Sequence, residues 1–395
     1  MNRTAMLREV RMEAFERVYE LWRRKRLVQR QAAGLLKMSE RTFRRWVARY
    51  EAEGPAALCD RRLGRSARRA PPEEVAAVEA LYGAGHRDWN VRHFYDEVYV
   101  ADGGSRSYTW VKNRLQEAGL VKKGRRKGPH RERRERKPAA GMMLHQDAST
   151  HEWVPGESWD LVVTMDDATG EVLSGFFVEE EGTWSSFRGV RETVEAMGLF
   201  DDLYTDRGSH YWHTPKAGGK VDKDNPTQFA RAMAELGIGM IAGYSPQARG
   251  RSERLFGTLQ GRLPQELAKA GITGMDATNE FLKAFWPRFN ASFAAEPKEA
   301  ESAFAPLLPS MKAKLPDILC LKAERTVGKD NCVAYHGRKL QIARQRHRCH
   351  YVRAKVMVHE YEDGSTAVFH GGRRLGRYDV TGRPQGATEG TEEAA

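Results

Sequence analysis

Residues 204–212 read YTDRGSHYW. A short apolar run, Leu203 and Tyr204, meets a charged carboxylate, Asp206, and then the glycine of a turn. Asp and Gly both favour turns, so a turn alone would account for the pattern. A carboxylate held at a rigid strand end is equally a ligand for a hard cation. One aspartate does not separate the two readings; the partners that the rest of the chain supplies do.

Upstream, GMMLHQDAS (141–149) reads as a strand ending in Asp147. WDLVVTMDDATGEVLSGFFVEEE (159–181) reads as a hairpin, with a strand to about Met165, a turn at Asp167–Gly170 and a second strand to Val178. A helix is expected from Trp184 to Met197, then the strand DDLYTD, the helix PTQFARAMAELG, the strand IGMIAGY and a long helix from about Gln247. Three antiparallel strands followed by strand–helix crossovers give a mixed sheet covered on both faces. That is the connectivity of an α/β ribonuclease-H-like core, spanning 141–300. A third carboxylate should then come from the last helix. SPQARGRSERLFGTLQGRL (245–263) offers Glu253, with Leu255, Phe256 and Leu259 turned to the sheet. Between Asp147 and Asp206 lie 58 residues, and between Asp206 and Glu253 lie 46. Three such carboxylates can hold two Mg²⁺ ions about 4 Å apart, which activate a water or 3′-hydroxyl without a side-chain base.

HQDAST, YTDRGSHYW and SPQARGRSERLFGTLQ together resemble the three catalytic blocks of bacterial insertion-sequence transposases of the DDE, or retroviral-integrase, superfamily. The stretch around Glu253 is the most specific of the three. The resemblance implies Asp147, Asp206 and Glu253 as catalytic metal ligands, Mg²⁺ as cofactor with Mn²⁺ able to substitute, and DNA cleavage and strand transfer as the reaction. It also implies double-stranded DNA as partner, in the form of terminal repeats and target, and at least a dimer on it. Two features depart from retroviral integrases. WHTPKAGGKVDKDNPTQ (212–228) lengthens the second spacing, as a loop at the rim of the site, and the His/Cys zinc module of their first domain is absent.

The flanks fit a multidomain chain that handles a polyanion. Net charge is +12, with 34 Lys+Arg against 18 Asp+Glu through residue 140, 15 against 24 from 141 to 300, and 16 against 11 thereafter. Basic ends suit phosphates, and an acidic middle suits a cation site. Residues 1–55 read as an all-α helix-turn-helix domain. Phe43, Trp46, Val47 and Tyr50 form its buried stripe, Ser39 is the N-cap, and Arg41, Thr42, Arg44, Arg45 and Arg49 lie on the outer, DNA-reading face. After the basic linker 54–72, residues 73–120 form a second helical DNA-binding domain, with Tyr108, Val111, Leu115 and Leu120 inward. Segment 121–140 carries ten Lys or Arg and two Glu, too polar to bury a core. It reads as a linker tracking phosphate through Lys122, Lys123, Arg125, Arg126, Arg131, Arg133 and Arg134. Residues 318–385 alternate as short strands of a small β-barrel-like domain, and 386–395 form a disordered tail.

Other assignments are weaker. Asp166 and Asp167 open the DDATG turn, and Asp160 begins a strand, so a structural role suffices for each. Cys332, His336, His347, Cys349 and His350 lack paired zinc spacing. Four cysteines make no disulfide framework. Without a signal-like start or an apolar run of about 20 residues, the expectation is a cytoplasmic, nucleoid-associated protein with no membrane partner. Two rival functions remain at this level: a metal-dependent nuclease without strand transfer, and a helix-turn-helix regulator without chemistry.

Overall fold

The computed structural model describes residues 3–58, 70–124, 134–216, 219–244, 250–345 and 348–385. Contacts divide the chain into two units, Met1–Ala84 and Gly85–Ala395.

The first unit holds α1 (Arg3–Arg23), α2 (Gln29–Leu35), α3 (Glu40–Glu53) and α4 (Pro72–Gly83). Phe15, Val18 and Tyr19 of α1 pack with Ala32 and Ala33 of α2 and with Phe43 and Val47 of α3. The small alanines let α2 approach closely, and Ser39 accepts the Thr42 N–H at the start of α3, as expected for a helix-turn-helix.

In the second unit, α5 (Val91–Phe94) runs into a wider π-helical turn, Tyr95–Tyr99, and is followed by α6 (Tyr108–Glu117). Expectation had grouped 73–120 as one helical domain. Instead α4 falls with the first unit and α5 and α6 with the second. Side-chain pairs account for the second placement: His93 meets Glu266 at 2.8 Å, and Arg262 meets Asp96 at 3.0 Å.

The central sheet consists of β1 (Met143–Val154), β2 (Glu157–Asp166), β3 (Val172–Val178), β4 (Asp202–Thr205) and β5 (Gly239–Ala242), in the order β3-β2-β1-β4-β5. The first three strands are antiparallel, and β4 and β5 are parallel to β1. This is the mixed, ribonuclease-H-like order expected. Crossovers are made by α7 (Thr183–Met197) and α8 (Gln228–Leu236), and β5 leads to α9 (Ser252–Gln260), α10 (Leu263–Lys269) and α11 (Met275–Phe293). One face buries Leu161, Val163 and Met165 of β2 against Leu255, Phe256 and Leu259 of α9 and Phe285 of α11. The other buries Leu144 and Leu203 against Phe187 and Val190 of α7 and Phe229 and Met233 of α8.

Two expectations are corrected here. β1 does not end at Asp147 but runs to Val154, because β2 pairs with it throughout and Trp153 is buried with its indole N–H bonded to the Trp159 carbonyl at 2.9 Å. The long last helix is broken between Gln260 and Leu263. Pro264, in the first turn of α10, has no N–H to give to the preceding turn.

After α12 (Pro309–Ile318) come β6 (Leu321–Thr326), β7 (Cys332–Tyr335), β8 (Arg338–Gln341), β9 (Lys355–Glu360), β10 (Thr366–His370) and β11 (Arg373–Tyr378). The expected barrel is not closed. Among the described residues there is an antiparallel sheet β11-β10-β9-β6 and a separate β7-β8 hairpin. They share one core through Val333, Leu340, Val358 and Val368.

Gly175 on β3 allows Trp286 of α11 to lie on the sheet, its indole donating to the Gly175 carbonyl at 2.7 Å; a Cβ there would overlap the ring. Gly175→Ala should therefore destabilise the second unit by about 1–3 kcal/mol, read as a lower urea midpoint by tryptophan fluorescence. An unchanged midpoint would show that the ring does not need this gap.

Candidate active site

β1 and β4 pair in parallel as Met143 with Asp202, Leu144 with Leu203 and His145 with Tyr204. This is a constant offset of 59 residues, and 206 − 147 is also 59. Continued past the last paired residues, the same offset would bring Asp147 opposite Asp206, which follows the last residue of β4. Alternation gives their face. Leu144 and Leu203 point into the α7/α8 core. His145 and Tyr204 point the other way, with ring centroids 4.9 Å apart, and Asp147 and Asp206 follow them two residues on. Both aspartates are half-buried.

The same face of β1 carries α9, pinned at both ends. At its far end Gln260 donates to the Ser149 hydroxyl at 3.0 Å. At its start Arg251 donates to the Asp167 carbonyl at 2.8 Å and ion-pairs with the Asp167 carboxylate, which His145 meets at 2.7 Å. Asp147 lies on the strand between His145 and Ser149, and Glu253 lies two residues beyond Arg251, exposed in the first turn of α9. Asp147 thus lies on the strand face that α9 covers, and Glu253 stands in the first turn of that helix. Among the described residues no three His, Cys, Asp or Glu side chains converge as a metal cage. The donor set is nevertheless all oxygen, which suits a hard dication.

The loop of the YTDRGSHYW motif is a turn and a site support at once. Asp206 accepts the Gly208 N–H at 2.7 Å. Tyr211 is buried, and its hydroxyl lies 3.1 Å from both Gln146 and Glu181. Burial first, and then the Glu181 charge, push its pKa well above the usual phenol value, so it stays neutral. Trp212 donates to Thr205 at 2.9 Å, tying the loop under the strand end. His210 lies 3.4 Å from Glu181. Arg207 donates to the Gly219 carbonyl at 2.8 Å and lies over the Tyr244 ring, while Arg249 lies outside the described residues. In the lengthened loop, His213 and Asp222 form an antiparallel bridge.

The structural reading of the DDATG turn holds. Asp166 accepts the N–H groups of Gly141 and Thr169, each at 2.8 Å. Asp167 is fully buried and binds His145, Arg251, Arg134 and, at 2.8 Å, the Lys137 N–H. Burial alone would raise its pKa. The His145 and Lys137 hydrogen bonds and the charges of His145 and Arg251 outweigh it and hold the carboxyl well below the usual range. The expectation that Arg134 tracks phosphate meets a structural fact: its guanidinium is paired with Asp167. Of the other expected DNA contacts, Arg41, Arg44, Arg45, Arg49, Lys122 and Lys123 are exposed, and Thr42 hydrogen-bonds the Ser39 cap. Arg125, Arg126, Arg131 and Arg133 lie outside the described residues, as do His347 and the tail 386–395. Cys332 donates to Gln341 at 3.0 Å.

A family model described as a winged helix-turn helix matches residues 24–76. A Sinorhizobium fredii protein described as a transposase, y4bF, is 30% identical over 349 residues, covering 87% of this chain and 75% of that relative. The chain belongs to the insertion-sequence transposases. The transposase for insertion sequence IS1202 of Streptococcus pneumoniae is 27% identical over 365 residues, covering 83% of this transposase and 78% of its own length. Among solved structures, the catalytic core of HTLV-2 integrase in complex with magnesium is similar at 16% identity, over 38% of this chain and 86% of that one, with a TM-score of 0.29. A simian T-cell lymphotropic virus intasome in complex with the PP2A regulatory subunit B56γ is similar at 14% identity, over 73% and 91%, with a TM-score of 0.35. At such TM-scores the core fold rests on strand order and register, not on superposition.

An aspartate with a depressed folded pKa and an unfolded one of about 3.9 adds stability that is complete above pH ~4 and lost as pH falls below it. Asp167→Asn should therefore lower the stability of the transposase at pH 7 and flatten its decline below pH ~4. Denaturant melts from pH 2.5 to 7 measure both, and parallel curves would mean that Asp167 is not held ionised.

Proposed function

We propose that this transposase performs metal-dependent 3′-end cleavage and strand transfer of an insertion element, with Asp147, Asp206 and Glu253 as its DDE metal ligands. The observation that supports the reading is the offset of 59 residues between β1 and β4, which equals the separation of Asp147 and Asp206, with Glu253 at the start of the helix that covers β1. Two Mg²⁺ ions, or Mn²⁺ in their place, would supply nucleophile activation and leaving-group stabilisation there. The chain's own part is placement. Pairing of β1 with β2 holds Asp147, the Gly208 turn holds Asp206 at the end of β4, α9 brings the glutamate, and the neutral Tyr211 hydroxyl fixes Gln146 and Glu181 behind Asp147. No side chain needs to act as a base. The helix-turn-helix of 1–55 would read the terminal repeats, 73–120 would add contacts, and 121–140 would follow phosphate. Two element ends must meet, so the working form is at least a dimer on DNA, acting in the cytoplasm at the nucleoid.

Asp147→Asn, Asp206→Asn or Glu253→Gln should each abolish cleavage with little loss of folding or end binding, since each removes one ligand of a shared site. A pre-cut end with a free 3′-hydroxyl, a plasmid target and Mg²⁺ should give joined products that vanish with a 3′-dideoxy end. Near-normal activity of one variant removes that residue from the triad. Hydrolysis without joining, with end binding confirmed, points to a nuclease, and no chemistry with either metal leaves a regulator.

The two basic surfaces should behave differently. Substituting Arg41, Arg44 and Arg45 on α3 should reduce preference for end sequence, because base-edge contacts carry specificity. Substituting Arg131 and Arg133 should weaken binding to all duplexes alike and lower its salt dependence. Fluorescence anisotropy with end and scrambled duplexes across a salt series reads both, and the reverse pattern would overturn this docking.

A further inference from the structure

We infer that Asp167 and Arg251 act together as a positioning device for Glu253, and that the end of the basic linker is part of it. The inference rests on the proposed metal site and adds how its third carboxylate is placed.

Glu253 differs from Asp147, which pairing with β2 fixes, and from Asp206, whose carboxylate accepts the Gly208 N–H one residue past β4. It sits in the first turn of a helix whose N-terminus no side chain caps. The anchor there is Arg251, immediately before the helix. Its guanidinium spans three acceptors: the Asp167 carboxylate, the Asp167 carbonyl at 2.8 Å and the Arg134 carbonyl at 2.9 Å. Only a planar fork with several donors can serve all three at once. The carboxylate it grips also binds Arg134 and the Lys137 N–H, while Arg136 donates to the Ala168 carbonyl at 2.7 Å. Residues 134–137, the last of the basic linker, are thereby joined to the start of α9 through one buried acid. On the strand side the same acid holds His145, two residues before Asp147. The hub therefore ties the linker, the strand of the first aspartate and the helix of the glutamate together.

Loosening the hub should move Glu253 away from the aspartates without removing any ligand. Groups that orient metal ligands typically change affinity about 10–100-fold. Mn²⁺ binding to the full-length protein without DNA, by titration calorimetry, is one readout; the Mg²⁺ concentration for half-maximal cleavage is the other. Arg251→Ala should weaken Mn²⁺ binding at least about tenfold and raise the Mg²⁺ requirement in step, with cleavage recovering at high metal. Arg251→Lys, which keeps the charge but not the fork, should fall between Arg251→Ala and wild type, and Arg134→Ala should shift both readouts in the same direction. Glu253→Gln should weaken Mn²⁺ binding and stay inactive at every metal concentration. Circular dichroism and thermal melts of each variant report folding, and the graded Lys-to-Ala order separates positioning from a general loss of structure. Should Arg251→Ala bind Mn²⁺ like wild type while Glu253→Gln does not, the positioning role is overturned and the metal site stands. Should wild type bind no Mn²⁺ and Glu253→Gln change nothing, the metal site falls and this inference with it.

Discussion

β1 is paired on both edges, antiparallel with β2 from Leu144 to Val154 and parallel with β4 from Met143 to His145. A strand bonded on both sides and buried on both faces has no freedom of register, because a slip of one residue would exchange its two faces. Leu144 and Leu203 would then leave the α7/α8 core, and Asp147 would enter it. The apolar packing of the sheet therefore decides where the two aspartates point. On the proposed reading, their adjacency would follow from the offset that the hydrophobic cores select.

Glu253 depends on a different kind of force. Leu255, Phe256 and Leu259 lay α9 on the sheet, but apolar contact leaves a helix free to slide and rotate by small amounts. Directional bonds at its two ends, Gln260 to Ser149 and Arg251 to Asp167, remove that freedom. A buried carboxylate is costly unless fully paired, and breaking one partner leaves an uncompensated charge. Asp167 meets that condition with two arginines, a histidine and a backbone N–H, so residues 134–137 of a segment that is basic throughout belong to the folded core.

Much of this arrangement was legible in the sequence. Asp147, Asp206 and Glu253 stand in motifs whose neighbours carry the strand and helix patterns, and the Phe43–Tyr50 stripe with its Ser39 cap marks α3 in full. What was not legible depends on long-range pairing. Alternation near Asp147 does not show that β1 continues, because the pairing of Glu152 and Val154 with β2 is set by a hairpin turn at Pro155 and Gly156. The separation of α4 from α5 turns on His93 meeting Glu266, 173 residues away. Asp167 reads as a turn residue and is one; its four partners come from three other segments. The short strands after Leu321 alternate as a barrel would, yet alternation says nothing of whether a sheet closes.

Charge placement links the metal to the DNA on the proposed reading. The carboxylates lie in the acidic middle of the chain; among the described residues Arg207 is engaged with Gly219 and Tyr244, and Arg134 and Arg251 with Asp167, while Arg254 beside Glu253 is exposed. On the proposed reading, the exposed arginines of α3 and Lys122 and Lys123 would hold the duplex without metal. Entry of the scissile phosphate among these carboxylates would, on the same reading, be a separate event that follows the cations, since like charges repel. Binding of ends and commitment to chemistry would then be divided between surfaces of opposite sign, and residues 134–137 are where the basic segment joins the acidic core through Asp167.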